Sequence, residues 1–239
     1  MPAEITVVRA GHPLPGTWSA SLYLCGPTSL DPDVPSWRDE AVRWITEQWD
    51  GDGTLAVFLP EPEEGASLSY ADQIAWEEEA MAMSDVILFY VPRAMPSLPG
   101  LVTNVKWGAW HRSGRVVLGS PAGAERNAYL LHFAHALEVP VSESLDATVR
   151  AALDRLAAGA ERTGGARWIP LQLWTTPAFR QWYAEQRAAG RELRSAAVLW
   201  AEGHPARRWA MRAQLADPAA PGEAATTLVV RGEPCDHHG

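Results

Sequence analysis

The sequence predicts an α/β fold in which helices flank a five-stranded parallel sheet. Between residues 21 and 160, short runs of strand character alternate five times with longer stretches of helical character, which is the pattern of βαβ units. The central runs are nearly continuous in apolar residues, as expected when helices cover both faces of a sheet. The loops after these runs carry Gly, Pro and Ser, and open α/β sheets bind their ligands at those carboxyl ends.

The elements follow one another in regular order. The predicted strands are Ser21–Gly26, Leu55–Pro60, Asp85–Pro92, Arg115–Pro121 and a short one at Pro140–Glu143. Helices are predicted to start at or near Ser36, Ser69, Leu101, Tyr129 and Ser144. A serine at the N-cap followed by acidic residues in the first turn, as in SWRDE, is typical of a helix start. We therefore expect a flavodoxin-like or Rossmann-like domain over residues 21–160.

The C-terminal third of the chain differs in kind. A polar, Gly-rich stretch at Glu161–Ala166 predicts a linker. Beyond it, a helix over Thr176–Ala189 and three strand-like runs (AAVLWAEG, RRWAMRAQLA and TTLVVRGE) predict a small α+β appendage over residues 167–234. Residues 1–20 and the tail PCDHHG are predicted to be loosely ordered ends.

Composition narrows the class of function. The 239 residues carry a net charge of −9, which disfavours nucleic-acid polymers as partners because clustered Lys and Arg supply nonspecific affinity for them. No run reaches the roughly 20 apolar residues of a membrane span, and the start lacks a signal peptide, so we expect a cytoplasmic protein. Two distant cysteines make neither a disulfide framework nor a zinc site. We expect a small-molecule substrate, no cofactor and no metal.

The first candidate site is the segment YLCGPT, a strand that runs into a Gly-Pro turn. Gly26 allows close approach to the backbone, and the turn with Pro27 and the Thr28 hydroxyl is suited to holding a sugar or phosphate oxygen. A plain strand-to-helix turn is the alternative. Trp37, shortly downstream, is one of 12 tryptophans and is a candidate for stacking on a base or sugar.

The second candidate is the helix segment YADQIAWEEE. Asp72, Trp76 and Glu79 share one helical face, whereas Glu77 and Glu78 point elsewhere. A carboxylate here would orient a sugar hydroxyl or protonate a leaving base. A solvated acidic face is the alternative reading.

The third candidate is LPGLVTNVKWG, after the third strand. Thr103 or Asn104 is predicted to cap the helix, and such an N-terminus favours an anion or a hydrogen-bonded sugar. Lys106, the only lysine of the chain, follows one turn later.

These segments together resemble a family. YLCGPTS, SWRDEAVRWI, FLPEP, YADQIAWEEEA, SDVILFYVPR, LPGLVTNVKWG, RVVLGSP and NAYL are similar to the nucleoside 2-deoxyribosyltransferase family, in particular its actinobacterial-type branch. The likeness covers roughly residues 20 to 155. It implies a five-stranded parallel sheet and a homo-oligomer whose active sites are completed by neighbouring subunits. It also implies cleavage of the bond between a base and C1′ of a (deoxy)ribose, with transfer of the sugar to another base or to water.

The resemblance also implies roles for individual residues. Tyr23 and Gly26 match the substrate loop of the first strand, and Glu77 falls where the family has an acidic residue that protonates or orients the base. Lys106 stands where the family has its nucleophilic glutamate, and Gly108 matches the glycine that follows that glutamate in the family. An ammonium repels the oxocarbenium-like state that a carboxylate stabilises, so this departure puts the family's mechanism in doubt.

Three interpretations of Lys106 follow. It is a replacement that leaves binding but little turnover; or a functional amine that attacks the sugar or clamps an anionic group; or a structural partner of the acidic helix. Two functions therefore stand side by side. One is an N-glycosidic transferase or hydrolase that acts on a nucleoside or nucleotide, and the other is a degenerate member that binds such a ligand or a protein partner.

Overall fold

The computed structural model describes residues 4–29, 31, 34–51, 53–63, 65–66, 68–156, 169, 171–174, 176–200, 209–216 and 226–231. The chain divides into two compact units, residues 1–160 and 161–239. Each unit is described by itself.

The first unit contains a parallel sheet. Its described strands are β1 (Glu4–Arg9), β2 (Ala20–Cys25), β3 (Thr54–Leu59), β4 (Val86–Tyr90), β5 (Val116–Gly119) and β6 (Val141–Ser142). They lie in the order β1-β3-β2-β4-β5-β6, and every neighbouring pair is parallel. The predicted α/β class and each of the five predicted strands are confirmed.

The sheet has one strand more than predicted. Residues 4–9, expected to lie in a loosely ordered extension, form β1 and pair in parallel with β3 from Glu4 opposite Thr54 to Arg9 opposite Leu59. The run EITVVR is rich in β-branched residues, which suit a strand. It was missed because β1 is an edge strand: of its six residues only Val8 is buried, so it lacks the continuous apolar character of the central strands.

The described part of the first unit contains five helices, of which four connect successive strands and the last follows β6. They are α1 (Trp37–Gln48), α2 (Tyr70–Met83), α3 (Leu101–Trp110), α4 (Ala128–Ala136) and α5 (Leu145–Asp154). The hydroxyl oxygens of Ser36 and Ser144 accept hydrogen bonds from first-turn backbone N–H groups, so both predicted caps form. Ser69, predicted as a helix start, caps α2 in the same way. Among the described residues, no helix is long and apolar enough to cross a membrane.

The predicted cap of α3 is wrong. The N-cap is Gly100, in the left-handed conformation with φ of 61°, and no side chain caps the helix. Glycine adopts this conformation without steric cost, so the Pro99-Gly100 turn starts the helix earlier than a Thr103 or Asn104 cap would allow. Thr103 instead lies buried in the first turn, and the Asn104 side chain accepts a hydrogen bond from Arg93 Nη2 at 2.6 Å.

The strand order places a switch point between β2 and β4. From β2 the chain crosses to β3 on one side, and the next connection returns past β2 to β4 on the other side. The loops after β2 and β4 therefore diverge at the carboxyl edge of the sheet. In doubly wound folds this crevice is where ligands bind.

The second unit is α+β. Its described elements are α6 (Leu171–Trp174), α7 (Pro177–Ala188) and an antiparallel sheet of β7 (Glu192–Trp200), β8 (Trp209–Ala216) and β9 (Thr226–Arg231). The Phe179 and Tyr183 rings stack at 5.5 Å, and the Trp174 ring packs edge-on against both. The predicted helix and three strands are present. The predicted linker and the tail lie outside the described residues.

Candidate functional site

A cavity of about 390 Å³ opens at the switch point. Its walls come from the turn after β2, the end of β3, the face of α2 and the first turns of α3. The lining residues are Gly26, Pro27, Thr28, Arg38, Pro60, Tyr70, Gln73, Ile74, Glu77, Pro99, Gly100, Leu101, Val102, Thr103 and Lys106. The three candidate segments identified from the sequence thus meet at one cavity.

An ion pair lies in the wall of this cavity. Lys106 Nζ on α3 lies 2.5 Å from Glu77 Oε2 on α2, and the side chains are only 16% and 10% exposed. The other carboxylate oxygen of Glu77 accepts a hydrogen bond from Gln73 Nε2 at 3.1 Å. Both oxygens of Glu77 are therefore held, one by a charge and one by an amide from the preceding helical turn.

The floor beneath the pair is neutral. Lys106 Nζ donates to Tyr23 Oη over 3.4 Å, and Tyr23 is fully buried. Burial raises the pKa of the Tyr23 phenol well above its usual value and raises the pKa of the Cys25 thiol to about 12. Neither group ionises near neutral pH. Among the described lining residues, the charges are therefore those of Glu77, Lys106 and Arg38.

Arg38 is a lining residue that the sequence reasoning missed. Its guanidinium is paired with Glu61 at 2.7 Å and also donates to backbone carbonyls of the turn after β2. The signal that could have found it is an arginine in the first turn of a helix, where the helix dipole disfavours a cation. An arginine at such a position requires nearby carbonyl or carboxylate oxygens that accept its hydrogen bonds.

Four of the predicted binding residues line the cavity directly: Gly26, Pro27, Thr28 and Thr103. Gly26 has a further reason to be glycine, because a Cβ atom there would lie 2.2 Å from the Tyr90 carbonyl oxygen and 2.6 Å from the Trp37 ring. Trp37 itself packs behind the turn, with its indole N–H donating to Pro27 O at 3.0 Å.

The other predicted binding residues lie outside the cavity lining. Asp72 is exposed, and its carboxylate accepts a hydrogen bond from the Ser69 hydroxyl at the start of α2. The Trp76 indole donates to His12 O at 2.8 Å. Asn104 accepts from Arg93, as described above. Instead of the Asp72–Trp76–Glu79 face, α2 presents Gln73 and Glu77 to the cavity, because Ala80 and Met81 turn that side toward the core.

An exposed apolar rim lies on the α2 and α3 sides of the cavity. Tyr70 and Ile74 on α2 and Leu101 and Val102 on α3 line the cavity and are also substantially exposed. Val105, one turn further along α3, is 73% exposed. Within the part of the chain that the structure describes, no cluster of His, Cys, Asp and Glu side chains is arranged to hold a metal ion.

Comparison with known proteins finds a family match to the part of the chain that forms the cavity. Residues 19–124 match the family described as "Nucleoside 2-deoxyribosyltransferase like". Every residue that lines the cavity lies inside this match. A search of curated proteins finds no match to the chain.

Proposed function

On the match of residues 19–124 to the nucleoside 2-deoxyribosyltransferase-like family, we propose that the cavity binds a nucleoside or nucleotide and that the chain acts on its N-glycosidic bond. The observation that carries the proposal is the carboxylate of Glu77, held in the wall of a switch-point cavity by Lys106 and Gln73. A fixed carboxylate is the group that chemistry at a sugar C1′ requires.

The lining of the cavity suits the two halves of such a ligand. A volume of about 390 Å³ is in the range of small-molecule sites. The apolar rim on α2 and α3 offers surface for a flat base, and the polar wall offers acceptors and donors for sugar oxygens. The first turn of α3 also lies at the cavity, and a helix N-terminus attracts electron-rich atoms such as hydroxyl or phosphate oxygens.

Hydrolysis fits this wall better than base exchange through a glycosyl-enzyme. Glu77 would accept a proton from a water whose oxygen attacks C1′, while the electron pair of the N-glycosidic bond leaves with the base, which takes a proton from solvent. The Lys106 ammonium balances the charge of Glu77, so the pair acts from one side of the sugar as one unit. Lys106 then holds Glu77 in place, while its positive charge opposes the cation that develops at C1′ and limits the rate.

Binding without turnover is the second candidate function. The observation that favours it is the same ammonium, because a cation in the cavity wall opposes the positive charge that develops at C1′. A protein of this kind would hold the ligand and leave its glycosidic bond intact.

One experiment separates the two functions. The full chain is incubated with a panel of nucleosides and 5′-nucleotides, free base is measured by chromatography, and binding is measured by calorimetry. Turnover that Glu77→Gln abolishes and that Glu78→Gln retains supports the enzyme, since Glu78 is an exposed neighbour on the same helix. Binding without free base supports the second candidate. If the chain neither binds nor cleaves any compound of the panel, the proposal is overturned.

We also propose that the chain forms a homo-oligomer through the outer face of α3. Leu101 and Val105 are 67% and 73% exposed, and the exposed Ala109 continues the same stripe one turn later. A contiguous apolar stripe on a soluble helix is typical of a protein interface, and a second copy would also cover the open mouth of the cavity. Light scattering after size exclusion is expected to give a multiple of the chain mass, and Val105→Glu is expected to give the monomer.

A further inference from the structure

Arg38 makes an unusual set of contacts for a helical residue. Its side chain is only 1% exposed although it stands in the first turn of α1. Nε donates to Leu24 O at 3.2 Å, and Nη2 donates to Gly26 O at 2.7 Å. Nη1 reaches Thr28 Oγ1 at 3.3 Å and Pro27 O at 3.4 Å. One guanidinium therefore contacts four of the five residues from Leu24 to Thr28, at the strand end and in the turn.

The charge of this arginine is balanced from another strand. Glu61, just after β3, accepts a hydrogen bond from Arg38 Nη1 at 2.7 Å, and the Ser36 hydroxyl donates to the same carboxylate at 2.8 Å. A buried guanidinium without such a partner is costly, and the positive end of the α1 dipole adds to that cost. The Arg38–Glu61 pair thus ties the turn after β2 to the end of β3.

Besides Arg38, two described side chains form hydrogen bonds at the turn: the Trp37 indole N–H donates to Pro27 O, and the Thr28 hydroxyl donates to Glu61 over 3.5 Å. The turn contains Gly26, a residue with wide backbone freedom, and it carries Thr28, whose side chain is exposed. The Arg38 guanidinium also lies 4.6 Å from the centre of the Trp37 ring.

We propose that Arg38, paired with Glu61, is a positioning residue that holds the turn Gly26–Thr28 in the shape required to bind the ligand. The inference rests on the proposed function, because its test measures the binding of a nucleoside or nucleotide. The planar fork of the guanidinium carries the role, because several acceptors around one plane are reached at once. Charge alone does not suffice, so lysine is not an adequate substitute.

Four variants of the full chain test this role: Arg38→Lys, Arg38→Gln, the double change Arg38→Gln with Glu61→Gln, and Arg115→Gln. Arg38→Gln alone leaves the Glu61 carboxylate without its cation, whereas the double variant removes both charges, so it can still be tested if the single variant does not fold. Arg115 is the matched control, because it is also buried and donates to the carbonyls of Ala82 and Ser84, but it precedes β5 at the edge of the sheet opposite to the cavity. Three quantities are measured for each variant: hydrogen exchange over residues 20–36, the melting temperature, and the calorimetric Kd for the compound of the panel that binds most tightly.

We expect all three Arg38 variants to exchange faster over the turn and to bind the ligand about tenfold to a hundredfold more weakly. Arg115→Gln is expected to lower the melting temperature without changing either readout. The inference is overturned if Arg38→Lys behaves like the unaltered chain. It is also overturned if the Arg38→Gln variants lose as much melting temperature as Arg115→Gln and keep an unchanged Kd. If the unaltered chain binds no member of the panel, the proposed function fails. The inference about ligand positioning is then overturned as well, even if hydrogen exchange over the turn is faster in the Arg38 variants. Binding by the unaltered chain with unchanged exchange in every Arg38 variant overturns the inference alone.

Discussion

Replacing Lys106 by glutamate reverses the charge in the cavity wall and tests what the ion pair does. In the unaltered chain the ammonium lies 2.5 Å from Glu77, so the pair presents no net charge to a bound sugar. Lys106→Glu removes the cation and places a second carboxylate beside Glu77. Like charges this close raise the pKa of one carboxyl group, which leaves one carboxylate free to attack C1′ and one acid to protonate the base.

The size of the effect follows from electrostatics. One unit charge about 4 Å from a developing oxocarbenium ion contributes about 4 kcal/mol at the effective dielectric constant of such partly buried sites. Since each 1.4 kcal/mol is about a factor of ten, base release is expected to rise by up to about a thousandfold. Removing one partner of a buried pair also destabilises the fold, by about 3 kcal/mol or more, so a lower melting temperature is expected at the same time.

The assay is chromatographic release of free base from the panel of nucleosides and 5′-nucleotides, with Lys106→Gln as the control. The glutamine removes the cation without adding a carboxylate, so its base release is expected to lie between those of the other two proteins. A Lys106→Glu protein that folds, binds ligand and releases base more slowly than the unaltered chain would refute the electrostatic reasoning.

Three further outcomes are expected. Glu77→Gln removes the proton acceptor, keeps its shape and leaves Lys106 unpaired, so the melting temperature falls; below that temperature base release is lost while the Kd measured by calorimetry changes less than about tenfold. Gly26→Ala forces a Cβ against Tyr90 O and the Trp37 ring, and urea unfolding is expected to show a loss of about 1–3 kcal/mol; an unchanged midpoint would contradict the packing described here. Burial raises the pKa of Cys25 from 9.0 to about 12, so its contribution to stability is full below pH 9 and is lost as pH rises toward 12, by up to about 1.4 kcal/mol per pH unit. Unfolding free energy is therefore expected to fall less steeply over this range in Cys25→Ala than in the unaltered chain, and parallel slopes would contradict this assignment.

Local patterns in the sequence predict the elements of the first unit well. The buried strands β2 to β5 are nearly continuous apolar runs, and the caps at Ser36, Ser69 and Ser144 depend only on residues close in the chain. The edge strand β1 was missed because it carries little apolar burial. The start of α3 near Leu101 was predicted, but its cap was not, because the backbone conformation of Gly100 cannot be read from composition.

The site was predicted only in part, because its key contacts join distant elements. The pairing of Lys106 with the acidic helix was one of three interpretations from the sequence, and the structure places the two side chains in contact. Which carboxylate of α2 faces the cavity depends on the rotation of the helix about its axis, which packing of Ala80 and Met81 on the core sets. The Arg38–Glu61 pair likewise joins α1 to the end of β3, and no local spacing indicates it.

The most direct test of the central claim is base release by the unaltered full chain from nucleosides and 5′-nucleotides, run beside Glu77→Gln. The account predicts free base from at least one compound of the panel and none from the same compound with Glu77→Gln. Tight binding of a nucleoside or nucleotide with no free base from either protein would contradict the proposed chemistry and leave a binding protein.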